Sequence, residues 1–310
     1  MICLDKTITL DTDSQELCDY FKNDDYVMET IPSFFVSSES SNPLFKIKII
    51  DTKEKGSIDL NFDNKSCTIN VDLSKLYKPD LVYLILQIFA RLHEENNTYI
   101  IHAAAVNYKN SSIVLPGVPG SGKTGVTFAL LRSGGKYLSN DRAIVRFSEG
   151  VPYVVGGTTC MHVRVPTIKE FLKRDIDLPD NINKEDWNTK ILLSKKKIDE
   201  MGFKQGEPAI LRLIVFPKII MGSEEVKFKE PDNTTKILDL FGVFSEHVRA
   251  PSSVFITLNW SFKSLDNENL AQKRLNYVNS VIAQTKIAKA TGNVDQIKNE
   301  IINILDARNK

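Results

Sequence analysis

The chain has 310 residues, enough to bury a full core as one large domain or two modest ones. Its 40 Lys and Arg balance 39 Asp and Glu, so global charge gives no case for nucleic acid or an anionic membrane as partner. The four cysteines, Cys3, Cys18, Cys67 and Cys160, are scattered without a C-x-x-C, which argues against a zinc site or disulfide framework and suits a reducing cytoplasm.

From Met1 to about Asn97 the chain reads as an antiparallel, strand-rich N-terminal region. Met1-Ile-Cys-Leu-Asp-Lys lacks the charged start and apolar stretch of a secretory signal. Leu44 to Ile50, Ser57 to Phe62 and Cys67 to Asp72 alternate apolar and polar residues, and Asp63-Asn64-Lys65 suits a hairpin turn between the last two. Pro79 opens a helix through about His93 that is apolar on most faces. Its run Leu81 to Ala90 is too short to span a bilayer. No catalytic constellation falls in this region, which reads as an extension supporting a nucleotide domain over residues 98–310.

Thr98 to Val106 reads as a strand, Asn107 to Ser111 as a turn, and Ser112 to Leu115 as a second, buried strand. Then comes Gly117-Val-Pro-Gly-Ser-Gly-Lys-Thr-Gly125, in which Gly117, Gly122, Lys123 and Thr124 fit the phosphate-loop pattern G-x-x-x-x-G-K-[ST]. Glycines let backbone N–H groups turn inward on a polyphosphate with no Cβ in the way. The following helix adds the positive end of its dipole, Lys123 reaches the outer phosphates, and the Thr124 hydroxyl can ligate magnesium. The expected contact set is Gly117, Val118, Pro119, Gly120, Ser121, Gly122, Lys123, Thr124 and Gly125. The helix runs through Leu131 and stops at Gly134-Gly135.

Two flanking residues have a plain and a functional reading. His102 lies on the strand hairpinned to the one that delivers the loop; it is either a satisfied core histidine or a partner of phosphates or metal. Lys136 to Val145 carries Asn140-Asp141, either a simple turn or the place where a carboxylate organises magnesium.

Together, a histidine-small-small strand, a short turn, the glycine loop, a helix ending in glycine and Tyr137-Leu-Ser-Asn-Asp-Arg142 resemble the kinase domain of HPr kinase/phosphorylase and its relatives. That group shares its nucleotide core with the ATP-dependent phosphoenolpyruvate carboxykinases, and some of its members phosphorylate a serine in ribosomally made peptides such as lasso peptides. The resemblance covers about Ile100 to Val145, and the N-terminal region does not resemble that of true HPr kinases. It implies a mixed-sheet α/β phosphate-loop core, ATP in the loop, magnesium near Thr124 and Asp141, a functional His102, and transfer of phosphate to a hydroxyl. The family shows two adjacent aspartates where this chain has Asn140-Asp141, one binding metal and the other helping to take the serine proton. An amide at Asn140 orients a hydroxyl but accepts no proton at neutral pH. The resemblance therefore carries over less well to the proton transfer than to nucleotide binding, and does not extend to the reverse phosphorylase reaction.

Further on, Val151 to Gly157 and Met161 to Val165 read as strands, with His162 and Arg164 alternating onto one face as possible substrate or phosphate contacts. Asp175 to Met201, with Pro179, Trp187 and Lys195-Lys-Lys197, reads as an excursion whose lysines are either a solvated face or an attraction for an acidic peptide. Ala209 to Phe216 reads as a buried strand, Lys236 to His247 as a helix and Ser253 to Leu258 as a strand, with Arg249 a candidate phosphate contact. A helix over Ala271 to Gln284, a strand over Lys286 to Ala290 and a helix over Val294 to Leu305 close the chain.

The expectation is a cytoplasmic, ATP- and magnesium-dependent kinase acting on a hydroxyl of a peptide, small protein or metabolite, with Lys123, Asp141, His102 and Asn140 at its centre. The alternative is a nucleotide-binding sensor or assembly module with little or no transfer.

Overall fold

The computed structural model describes residues 1–37, 42–172, 176, 189–220, 222–223, 225–249, 254–255, 260–261 and 265–308. The architecture is mixed α/β, in two compact units. The first unit comprises Met1–Tyr99 and Ser245–Gln272, the second Ile100–Phe244 and Lys273–Lys310.

In the first unit the chain runs β1 (Ile2–Cys3), β2 (Lys6–Asp11), α1 (Gln15–Asn23), α2 (Asp25–Thr30), β3 (Phe34–Phe35), β4 (Phe45–Asp51), β5 (Ser57–Asn61), β6 (Ser66–Val71) and α3 (Lys78–Glu94). The two short helices were not legible in the sequence. Each starts on a capping side chain: Ser14 Oγ accepts the Leu17 N–H, and Asp24 Oδ1 the Tyr26 N–H. The sheet order is β3-β1-β2-β4-β6-β5. β4 pairs parallel with both β2 and β6, while the β3–β1, β1–β2 and β6–β5 pairs are antiparallel. The expected all-antiparallel pairing is thereby corrected to a mixed sheet. The alternation holds, with Phe45, Ile47 and Ile49 inward and Lys46 and Lys48 outward. Period-two alternation describes one strand's faces and says nothing about its neighbour's direction. α3 buries residues around most of its circumference and lies against α2 and β2.

The second unit begins within β7 (Thr98–Tyr108), which turns through Lys109 and Asn110, both at positive φ, into β8 (Ser111–Pro116). The turn is two residues, shorter than expected, and its left-handed pair matches the twist of a tight hairpin. Then follow α4 (Lys123–Arg132), β9 (Lys136–Ser139), β10 (Arg142–Ser148), β11 (Val151–Gly157), β12 (Met161–Arg164), the short α5 (Val165–Thr167), β13 (Lys190–Leu193), α6 (Lys195–Glu200), β14 (Ala209–Ile219), β15 (Lys227–Lys229) and α7 (Asn233–Arg249). After a two-strand ribbon, β16 (Val254–Phe255) and β17 (Trp260–Ser261), the chain ends in α8 (Glu268–Gln284), β18 (Lys286–Gly292) and α9 (Val294–Arg308). Pro179 and Trp187 lie outside the described residues, as do residues 177–188 of the expected excursion and most of the strand expected over Ser253–Leu258.

The main sheet has the order β11-β10-β7-β8-β14-β18-β15, with β9 also on β7. β14 is parallel to both β8 and β18, and its first residues also pair with β11, which closes β11, β10, β7, β8 and β14 into a circuit. α4 packs on α9 and β8, and α9 on β14 and β18. The core between them holds Leu115, Val126, Phe128, Leu130, Leu213, Val215, Ile297 and Ile301. Each such side chain contributes roughly 1.5–3 kcal/mol relative to leaving it in water. Among the described residues no helix is long and apolar enough to cross a membrane.

Candidate functional site

The segment after β8 is a loop because its residues cannot continue the strand. Gly117 and Gly122 sit at φ +151° and +100°, and a Cβ on Gly122 would overlap the Ile219 side chain at the end of β14. The loop is tied to that strand by the Ile219 N–H, which donates to Ser121 O at 3.1 Å. Val118, Pro119 and Gly120 are exposed, Gly117, Ser121, Gly122 and Thr124 half-buried, and Lys123 and Gly125 buried. Gly122 caps α4 and, having no side chain, makes no capping bond to the first-turn N–H groups of the helix. Lys123 folds back, and its Nζ donates to Gly117 O. The Ser121 Oγ is buried and has no hydrogen-bond partner among the described residues.

β7 brings His102 beside the bend between β9 and β10. His102 Nε2 and Asp141 Oδ1 are 2.9 Å apart, and Arg142 Nη1 lies 3.2 Å from Asp141 Oδ2. Burial pushes the Asp141 pKa up. The hydrogen bond to His102 and the charges of Arg142, His102 and Lys123 outweigh it, holding the carboxyl well below the usual carboxylate range. The Lys123 influence puts the loop lysine and the bend carboxylate in one electrostatic neighbourhood, though 18 positions separate them in the chain. Asn140-Asp141 is indeed a bend, and its carboxylate is also held by partners from elsewhere, so the plain and functional readings coexist.

His162 is exposed on β12, with Met161 and Val163 inward. The protein around its ring and the charge of Lys190 lower its pKa, against the attraction of Asp141. Arg164 lies across from Lys190 in the β12–β13 ribbon. Arg249 belongs to the first unit, where its Nε pairs with Asp266 at 3.1 Å. Of the lysine run, Lys195 pairs with Asp199 and Lys197 lies 3.7 Å from Glu200 on the same short helix, as on a solvated face.

Sequence reasoning missed Thr158, Tyr137, Gly157 and Ser139. Thr158 Oγ1 accepts from the Asp141 and Arg142 N–H groups at 3.1 and 3.2 Å, and Thr158 O accepts from the Tyr137 hydroxyl at 2.6 Å. A Cβ on Gly157 would stand 2.6 Å from Arg142 O and overlap the Ser139 side chain. The Ser139 Oγ and Asn140 Oδ1 are buried without hydrogen-bond partners among the described residues. Tyr137 and Ser139 fall within the quoted motif, but no local pattern marks the contacts of any of the four; these follow from how β11 passes the bend.

Among the described residues no three His, Cys, Asp or Glu side chains are grouped to hold a metal by themselves. The donors expected from the sequence, the Asp141 carboxylate and the Thr124 hydroxyl, are hard oxygens. They suit magnesium where phosphates and water complete the shell, so the residues fit a magnesium–nucleotide better than a free-standing ion.

No protein-family model matches the chain, and no curated protein matches it. Among solved structures, the HPr(Ser) kinase/phosphatase from Coxiella burnetii is similar over 43% of this chain and 77% of that one, at 10% identity and a TM-score of 0.25. A superposition that loose supports no functional statement.

Proposed function

We propose that the chain is an ATP- and magnesium-dependent phosphotransferase that moves the terminal phosphoryl group to a hydroxyl, on a serine of a peptide or small protein or on a small metabolite. One observation carries the reading: Lys123, at the uncapped start of α4, shares its surroundings with a carboxylate that His102 and Arg142 hold ionised. In this reading Lys123 exchanges its bond to Gly117 O for the outer phosphates, and the loop N–H groups take the remaining oxygens. Thr124 and Asp141 hold magnesium, which when bound offsets the negative charge spread over the phosphates.

An aspartate held so far below the usual range is a good metal ligand and a poor base. Asn140 orients the acceptor hydroxyl but takes no proton. The hydroxyl proton therefore leaves to solvent, late in a loose transition state that asks mainly for positioning and charge neutralisation.

The test is transfer of label from ATP to a candidate peptide in the presence of magnesium. Lys123→Ala is expected to lower turnover by about 10²–10³-fold. Equal labelling by the wild type and Lys123→Ala sinks the reading. The buried amide of Asn140, where an acid would serve as base, favours a second reading as a nucleotide-binding sensor. Tight ATP binding by the wild type with no transfer to any acceptor would select it.

A further inference from the structure

The bend that carries Asp141 owes its shape to one residue of another strand's end. Thr158 is 1% exposed and follows β11. The Asn140 N–H donates to its carbonyl at 3.3 Å, and its own N–H donates to Arg142 O at 3.1 Å. Its hydroxyl oxygen takes the N–H groups of Asp141 and Arg142 together, which uses both lone pairs. Three consecutive N–H groups of the bend, residues 140–142, thus end on a single threonine. Such N–H groups are expensive to leave unpaired when buried, so the bend is fixed wherever the threonine is fixed. The Tyr137 hydroxyl anchors the threonine carbonyl at 2.6 Å, and the branched side chain restricts χ1, which limits where Oγ1 can stand. Gly157 permits the approach, because any side chain there would meet Arg142 O and Ser139.

We infer that Thr158 is a positioning residue, which through the main chain of residues 140–142 aims the Asp141 carboxylate at His102 and at the space before Lys123. Its consequence for catalysis rests on the phosphotransferase reading; the geometry does not.

Two substitutions separate the hydroxyl from the bulk. Thr158→Val keeps the shape and removes the acceptor, and Thr158→Ser keeps the acceptor. With magnesium and a phosphate acceptor, T158V is expected to lose about 100-fold in kcat, the cost of a misplacement on the order of 1 Å. Binding of ADP without magnesium should stay at the wild-type value, and T158S should regain most of the lost rate. Wild-type turnover in T158V, or T158S as impaired as T158V, overturns the inference. A wild-type protein that transfers no phosphate removes the kinase reading and leaves the clamp to a second readout. The imidazole nitrogen signals of His102, assigned by their loss in His102→Gln, should move in T158V and return in T158S; unmoved signals overturn the clamp. If T158V does not fold, Tyr137→Phe, which removes just the bond to the Thr158 carbonyl, is read by the same signals and the same criterion.

Discussion

Asp141 shows what a single residue contributes and what it borrows. Burial by itself would raise its pKa; the hydrogen bond from His102 on β7, with the charges of Arg142 on β10 and Lys123 on α4, holds it low instead. The buried thiols show the opposite effect. Burial, and then the charge of Asp59, pushes Cys67 up to about 12, and burial, then the charge of Asp5, pushes Cys3 higher still. A folded pKa raised above the unfolded value favours the neutral thiol. The stability it brings is complete below the ordinary thiol value of about 9 and is lost as pH rises from there through about 12. The urea midpoint of the wild type should therefore fall more steeply above pH 9 or so than that of Cys67→Ala; parallel profiles would contradict this assignment. A thiol reagent near neutral pH should label the half-buried Cys18 and Cys160 in the native protein, and Cys3 and Cys67 only on unfolding.

At the scale of the element, the glycine loop and α4 form a local unit whose conformation its own residues dictate. The bend of residues 139–142 is a different case, because β11 imposes it. Gly157→Ala is expected to destabilise the protein by about 1–3 kcal/mol through overpacking. It should also lower transfer with nucleotide binding in the loop intact, since the added methyl group pushes on Arg142 O and Ser139 rather than on the loop. Thermal melts and ADP calorimetry on one preparation check both halves; a stable G157A with full activity would contradict the close approach. Lys195→Ala, by contrast, removes only an exposed pair within one helix and should stay within about 0.5 kcal/mol of the wild type.

For the molecule as a whole, residues 245–272 return to the unit that begins the chain. Arg91 Nη1 donates to Leu265 O at 3.1 Å across 174 positions, and Leu265 and Leu270 are buried. A fragment of residues 98–310 keeps that returning segment and loses the partners it packs against in the same unit. Its expected behaviour is dye-binding apolar surface and a lower, broader melt than the full chain; a melt as sharp as wild type would show that the segment needs no such partners.

What the amino-acid order determined by itself is local. The glycine loop, the helix that starts at Lys123, the strands β7, β8, β11 and β14, and the closing α8, β18 and α9 follow from steric rules and apolar periods within a dozen residues. His102 and Asp141 could be suspected singly on that basis. Their 2.9 Å contact across 39 positions, the parallel pairing of β2, β4 and β6, and the hold of Thr158 on the bend were decided by tertiary structure alone. The physical reason is that period and propensity report which face a residue presents, while the partner it meets is chosen by long-range burial and hydrogen-bond satisfaction over the whole fold.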